Sequence, residues 1–246
     1  MGIIWRVTIG VYGLGRFGAM WSQLLARSFD VVAYSRDEER PAPPGVARRS
    51  ELEVARADAL FLCVAISAMP EVCARLQPLL GASTLVMDTC SVKVLPARVM
   101  EEAFPAPRSV IATHPMFGPD SARQGLAGLP IVLCPVRSGE DELRSWTATF
   151  ERLGLAVIVM SPEEHDRRAA YSQGITHLLG RVLADMQLGP SPISTLGYRR
   201  LLEIIEQTCN DSWQLFVDLQ RLNPYTAEMR SRLRESIEKV MRRLEP

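Results

Sequence analysis

Val7-Thr8-Ile9-Gly10-Val11-Tyr12-Gly13-Leu14-Gly15-Arg16-Phe17-Gly18 restricts more than any other stretch what this chain can fold into. A run rich in β-branched residues meets three glycines spaced G-x-G-x-x-G, and an amphipathic segment follows. In a strand–turn–helix unit each glycine has its own reason. Gly13 permits the tight turn, Gly15 lets backbone approach a ligand, and Gly18 lets the helix pack close to the strand. The helix N-terminus then offers unpaired N–H groups to a pyrophosphate. The segment therefore points to a dinucleotide, with Gly13, Leu14, Gly15, Arg16, Phe17 and Gly18 as candidate contacts.

From Ile3 to about Met160, short Val-, Ile- and Leu-rich runs alternate with amphipathic stretches, the pattern of a parallel sheet with crossover helices. Strands are expected near Trp5–Val11, Val31–Tyr34, Ala59–Ala65, Thr84–Asp88, Ser109–Thr113, Ile131–Cys134 and Ala156–Met160. Helices are expected over Phe17–Arg27, Met69–Leu79, Val94–Ala103 and Asp141–Leu153, and Pro41, Pro43 and Pro44 read as a loop. After Met160 the strand-like runs stop. Ser161-Pro162-Glu163-Glu164 supplies a cap, a proline at the first helical position and an acid three residues after the cap. A long helix to about Gln187 should follow, broken by Gly189-Pro190-Ser191-Pro192, with two more over Leu201–Leu222 and Pro224–Leu244. The fold class is α/β: a doubly wound dinucleotide-binding domain, residues 1–160, then a small all-helical domain, residues 161–246. Three helices make a thin core, so this second part is expected to pack on a second copy of the chain.

The end of the second strand bears on cofactor choice. Where an acidic residue would hold a ribose 2′-hydroxyl, the chain has Ser35 and Arg36, a hydroxyl and a guanidinium suited to a 2′-phosphate. NADP is thereby favoured over NAD, although Asp37 and Glu38 follow and weaken the local field. Val64 and Thr89 are further candidate cofactor contacts.

The 28 cationic residues balance 28 acidic ones, which argues against a broadly basic nucleic-acid surface. Five scattered cysteines without a CxxC pair support neither a disulfide framework nor a metal site. No run is long and apolar enough to span a bilayer. The glycine motif lies within a dozen residues of Met1, leaving no room for a cleavable signal, so a reducing cytoplasm is the expected location.

Three histidines are few enough to weigh singly. His114 follows a predicted strand in Thr113-His114-Pro115-Met116-Phe117-Gly118-Pro119. Open α/β sheets place ligands at the carboxyl ends of their strands, and a neutral imidazole is the natural base for an alcohol proton when hydride leaves the same carbon. Ser91 is placed either to bridge such a base and its substrate or to cap a helix. Lys93, one of two lysines, can orient the loop or contact substrate. Gln173, His177 and Arg181 fall at i, i+4 and i+8, one face of a helix.

Asp88-Thr89-Cys90-Ser91-Val92-Lys93 and His114-Pro115-Met116-Phe117-Gly118-Pro119-Asp120-Ser121, with Glu164-His165-Asp166, Gln173 and His177, resemble the signature of the prephenate and arogenate dehydrogenases across essentially the whole chain. The resemblance implies a Rossmann-type domain joined to a helical dimerisation domain, with the active site between them. It also implies oxidative decarboxylation of a small anionic cyclohexadienyl substrate on the route to tyrosine. His114 would then be the base and His177 a donor to substrate. One position departs from the family. An arginine that helps bind a substrate carboxylate is replaced by Gln207, with Arg199 and Arg200 about two turns earlier as possible substitutes. Prephenate is the leading substrate on this resemblance, and the departure opens arogenate and 4-amino-4-deoxyprephenate as alternatives.

Two other functions compete. A 3-hydroxyacid or imine dehydrogenase would rely on a lysine in the helical part, where only Lys239 stands, near the C-terminus. A non-catalytic NADP-binding redox sensor dimer would keep the glycines but have no need of His114.

Overall fold

The computed structural model describes residues 7–123 and 125–245. The chain divides into two compact units, one ending at Pro162 and the other beginning at Glu163.

The first unit is built on an eight-stranded sheet, among the described residues, formed by β1 (Thr8–Tyr12), β2 (Asp30–Tyr34), β3 (Val46–Arg48), β4 (Ala59–Leu62), β5 (Leu85–Asp88), β6 (Val110–Pro115), β7 (Pro130–Arg137) and β8 (Ala156–Val159). Their order across the sheet is β3-β2-β1-β4-β5-β6-β7-β8. Every neighbouring pair is parallel except β6 with β7. The sheet is therefore doubly wound, with its direction of progression reversing between β1 and β4. The predicted first strand began at Trp5; Trp5 and Arg6 lie outside the described residues.

Helices α1 (Arg16–Leu25), α2 (Glu51–Ala55), α3 (Met69–Leu76), α4 (Val94–Ala103), α5 (Pro119–Ala122) and α6 (Glu140–Arg152) connect the strands. One core side of the sheet is aromatic. Trp21 of α1 packs against Phe61 of β4 at 5.6 Å, Phe117 at 6.4 Å and Phe150 of α6 at 6.0 Å between ring centroids. Truncating a fully buried ring such as Trp21 costs about 3–5 kcal/mol, because a cavity is left as well as apolar area lost.

Two elements escaped the expectation of a loop after Pro44. β3 extends β2 in parallel, and α2 follows with Ser50 as its cap; Ser50 accepts from the Glu53 N–H while the Glu53 carboxylate accepts from the Ser50 N–H. The prolines shape the approach to β3 and stop before it.

The second unit is helical. α7 (Pro162–Ala169) and α8 (Ile175–Asp185) are joined by one π-helical turn (Ala170–Gly174), and α9 (Leu196–Cys209), α10 (Trp213–Leu222) and α11 (Thr226–Arg242) follow. The expected single helix over Leu201–Leu222 is two, because Ser212 caps a new start by accepting from the Leu215 N–H at 3.2 Å. Large apolar side chains fully buried in this unit are few, chiefly Leu219 and Met229. Polar side chains do much of the joining: Gln220 donates to the Gly174 carbonyl at 2.7 Å, and Asn223 to the Asp166 carbonyl at 2.8 Å. Gly180 lies where a Cβ would stand 2.0 Å from Thr208 Oγ1, so α8 and α9 approach closely.

Candidate active site

The carboxyl edge of the first unit's sheet collects its chemistry. At the end of β1, Gly13 has φ +107°, and a Cβ there would stand 2.4 Å from the Cys63 carbonyl oxygen after β4. A Cβ on Gly18 would lie 1.9 Å from the Gly13 carbonyl oxygen. Gly15 differs: its φ is −67°, and a Cβ there would meet only Arg40 Nη1, at 3.8 Å. Nothing among the described residues needs Gly15 bare, and the space in front of it opens at the N-terminus of α1. That is the arrangement a close-approaching pyrophosphate requires. The residues present thus fit a dinucleotide, held by the Gly13–Gly18 turn.

Around this turn the arginines are already engaged. Arg16 pairs with Asp120 of α5 at 2.9 Å, which ties the glycine turn to the segment after His114. Arg40 donates to the Leu14 carbonyl at 3.2 Å and pairs with Asp37 at 2.9 Å. Arg48 donates to the carbonyls of Ser35 and Asp37, each at 3.0 Å, fixing the loop after β2. Beside that loop lies an open cavity of about 430 Å³ lined by Tyr34, Ser35, Arg36, Glu38, Arg48, Arg49 and Ser50. Arg36 is exposed and only loosely paired with Glu71, at 3.9 Å. Arg49 is half exposed, 3.8 Å from Glu53. Sequence reasoning names Ser35 and Arg36 in this stretch and does not name Arg40, Arg48 or Arg49; the Ser50–Glu53 capping pattern could have announced a helix start directly after Arg48, the end of β3, and Arg49.

Val64 and Thr89 follow β4 and β5 on the same edge, both partly buried. The Thr89 N–H donates to the Leu62 carbonyl at 3.2 Å. Ser91 is partly buried in the turn between β5 and α4, which starts after Lys93 rather than at the serine. His114 is the fifth residue of β6, 2% exposed, and because β6 runs parallel to β5, its end lies on the Ser91 side of the sheet. Burial pushes the thiol of Cys63, next to the glycine turn, up to about 12, away from the thiolate form.

In the second unit, Gln173 falls in the π turn, His177 one turn later in α8, and Arg181 beyond it. Gln173 Oε1, His177 Nδ1 and Arg181 Nε are buried without a hydrogen-bond partner among the described residues. Burial pushes the His177 imidazole below its ordinary value, Asp211 opposing and Arg181 adding to the shift. Arg181 is held by the Thr208 and Asp211 carbonyls at 3.2 and 2.6 Å and lies over the Trp213 ring. Gln207, Arg199 and Arg200 are exposed on α9. Arg199 donates to the Ser194 carbonyl at 3.1 Å. His165, by contrast, is buried against Asp166 at 2.8 Å.

Residues 44–159 match the family model described as prephenate dehydrogenase, nucleotide-binding domain, and residues 182–246 match that of a TYRAAT1-like C-terminal domain. The chain is 35% identical over 249 residues to arogenate dehydrogenase 2, chloroplastic, of Arabidopsis thaliana, covering 96% of this chain and 69% of that protein. It is also 35% identical to arogenate dehydrogenase 1, chloroplastic, of the same plant, covering 97% of this chain and 39% of that longer protein. The solved prephenate dehydrogenase of A. aeolicus, in complex with hydroxyphenyl propionate and NAD+, has the same fold, with a TM-score of 0.73 at 17% identity over 98% of this chain and 93% of that one. The glycine turn at the switch point of a doubly wound sheet, the matched nucleotide-binding domain and the relatives at 35% identity together mark an NAD(P)-dependent dehydrogenase. The chain belongs to the prephenate/arogenate dehydrogenase family.

Proposed function

We propose that the chain oxidatively decarboxylates a cyclohexadienyl acid, arogenate in preference to prephenate or 4-amino-4-deoxyprephenate, with NADP as the preferred acceptor. The observation that carries this reading is the convergence of the glycine turn, the Ser91 turn and His114 on one edge of the sheet. A bound dinucleotide supplies the hydride acceptor. His114 takes the proton of the C4 hydroxyl, and Ser91 donates or relays a hydrogen bond beside it. Loss of the ring carboxylate then completes an aromatic ring, so the protein's task is orientation and the removal of one proton.

His177 and Gln173 bind the substrate's polar groups through the buried atoms that lack partners among the described residues. Arogenate is favoured because Gln207 brings no charge where the family resemblance places an arginine. Arg200 stands seven residues earlier, about 10 Å along the helix, too far to occupy the same place. A zwitterionic side chain asks for less positive charge than a keto acid's dianion. The two relatives at 35% identity bear arogenate in their names.

NADP is favoured by the cavity beside Ser35: Arg36, Arg48 and Arg49 line it with guanidinium groups suited to a phosphate and outnumber the one carboxylate there, Glu38. The helical unit pairs with a second copy of the chain. Purified protein given each of the three acids with NAD or NADP should reduce NADP fastest with arogenate, followed by the absorbance of the reduced nicotinamide. No turnover of any acid overturns the reading. The Arg36→Ala/Arg49→Ala pair should weaken NADP by at least ~10-fold and NAD by less than ~2-fold, each charge-assisted contact being of order 1.5–3 kcal/mol; equal losses would refute the phosphate contact.

A further inference from the structure

Lys93 and Asp88 are both completely buried, and they are ion-paired. That fact decides against substrate contact for Lys93 and calls for another explanation. Stability alone does not provide one, since a buried ion pair is commonly no more stabilising than an apolar pair of the same volume. Its hydrogen bonds are more informative. Asp88 ends β5; its Oδ2 accepts from the Cys90 N–H at 2.9 Å and from the Lys93 ammonium, and its Oδ1 accepts from the Thr113 N–H at 3.0 Å. Lys93 donates also to the Thr113 carbonyl at 2.6 Å, and the Thr113 hydroxyl donates to the Asp88 carbonyl.

Cys90 directly precedes Ser91, and Thr113 directly precedes His114. The paired register of β5 with β6 runs only as far as Met87 opposite Ile111. Beyond that point the backbone ladder no longer joins the two strands, and the Asp88–Lys93 pair takes over. We infer that Asp88 and Lys93 are positioning residues, a buried clasp that sets the separation of the Ser91 turn and the His114 backbone. Lys93 stands at the cap of α4, so the clasp holds three element ends at once: β5, β6 and α4. The inference rests on the reading of His114 as the base.

The test uses the charge-neutral pair Asp88→Asn/Lys93→Met, which removes both charges together and so leaves no isolated buried ion. Loss of placement by a fraction of an ångström to 1 Å should lower kcat by about 100-fold, while KM and the Kd for the reduced cofactor stay within about threefold. In a His114→Asn background the same pair should cost less than about threefold more, because a clasp has nothing left to place. A kcat within threefold of the wild type, or losses that multiply in the His114→Asn background, overturns the clasp. Should the pair not fold, Thr113→Val removes only the hydroxyl bond to Asp88; it should lower kcat several-fold at constant KM, and an unchanged kcat would overturn the clasp equally. His114→Asn by itself separates the two ideas: near-native turnover there removes the base, whatever the clasp variants do.

Discussion

His177 combines burial, an unpartnered Nδ1 and a pKa pushed down by desolvation, so at neutral pH it stands uncharged in the folded chain. An imidazole whose folded pKa lies below its unfolded one contributes stability that is complete above the unfolded value, near 6.5, and is lost as pH falls toward the folded value. The unfolded chain takes the proton first, and acid therefore favours unfolding. Replacing His177 by Gln should flatten the fall in Tm below about pH 6.5 while leaving the curve above it parallel to the wild type. Thermal melts across pH 5 to 8 measure this, and an undiminished acid slope in the variant would remove His177 as its source. The same neutral ring can donate or accept toward a ligand, which is the role the family resemblance assigns it. Spacing alone put Gln173, His177 and Arg181 on one face. It did not foresee that Arg181 would be taken up by the carbonyls of Thr208 and Asp211, since those partners come from a helix end about 30 residues further on.

The strand–turn–helix unit at the N-terminus makes a sharper prediction, because its glycines answer to different neighbours. Gly18→Ala would force a Cβ to within 1.9 Å of the Gly13 carbonyl, so α1 must move off β1; overpacking of this kind costs about 1–3 kcal/mol or more. Gly15→Ala meets no such obstacle at φ −67° and should shift stability by less than about 1 kcal/mol. Melting curves and cofactor titrations should therefore part company. Gly15→Ala should melt like the wild type yet bind NADP at least ~10-fold more weakly, a loss of 1.4 kcal/mol or more, as a methyl group enters the space of the pyrophosphate. Undiminished binding in Gly15→Ala would mean that no phosphate approaches there. This turn, like the strands β4 to β6 and helix α4, was legible because periodicity and glycine spacing are local. β3 and α2 were not: three prolines in four residues mask a three-residue strand whose existence depends on β2 offering it an edge. The π turn at Ala170–Gly174 was equally hidden. Its Gly174 carbonyl accepts from Gln220 of α10, 46 residues away, a partner that the local sequence does not show. The Asp88–Lys93 clasp belongs to the same class, since burial is what separates it from an ordinary surface pair.

At the scale of the whole molecule the two units differ in how they are stabilised. The first buries an aromatic core around Trp21, Phe61 and Phe150, whereas the second relies on Leu219, Met229 and a set of buried polar bonds. No helix among the described residues is long and apolar enough to cross a membrane. Yet apolar residues remain outside. Met229 is buried at the start of α11 and Leu233 is half-buried, while Ile237, Val240, Met241 and Leu244 continue the same stripe and are each at least 51% exposed. The residues beside the stripe carry both signs, three cations (Arg234, Lys239, Arg242) and two acids (Glu238, Glu245), so a like surface meets only a small net charge there. Covering four such side chains on each of two chains would contribute at most ~1.5–3 kcal/mol per side chain, less for those already half-buried, before the cost of association. Light scattering at micromolar concentration should give a dimer for the wild type. Ile237→Glu/Met241→Glu should give a monomer that melts earlier, because a thin helical core loses its cover. A wild-type monomer, or a dimer that survives both glutamates, would move the pairing surface off α11. Cofactor binding gives an internal control, since the glycine turn lies in the other unit and its affinity for NADP should not follow the change in mass.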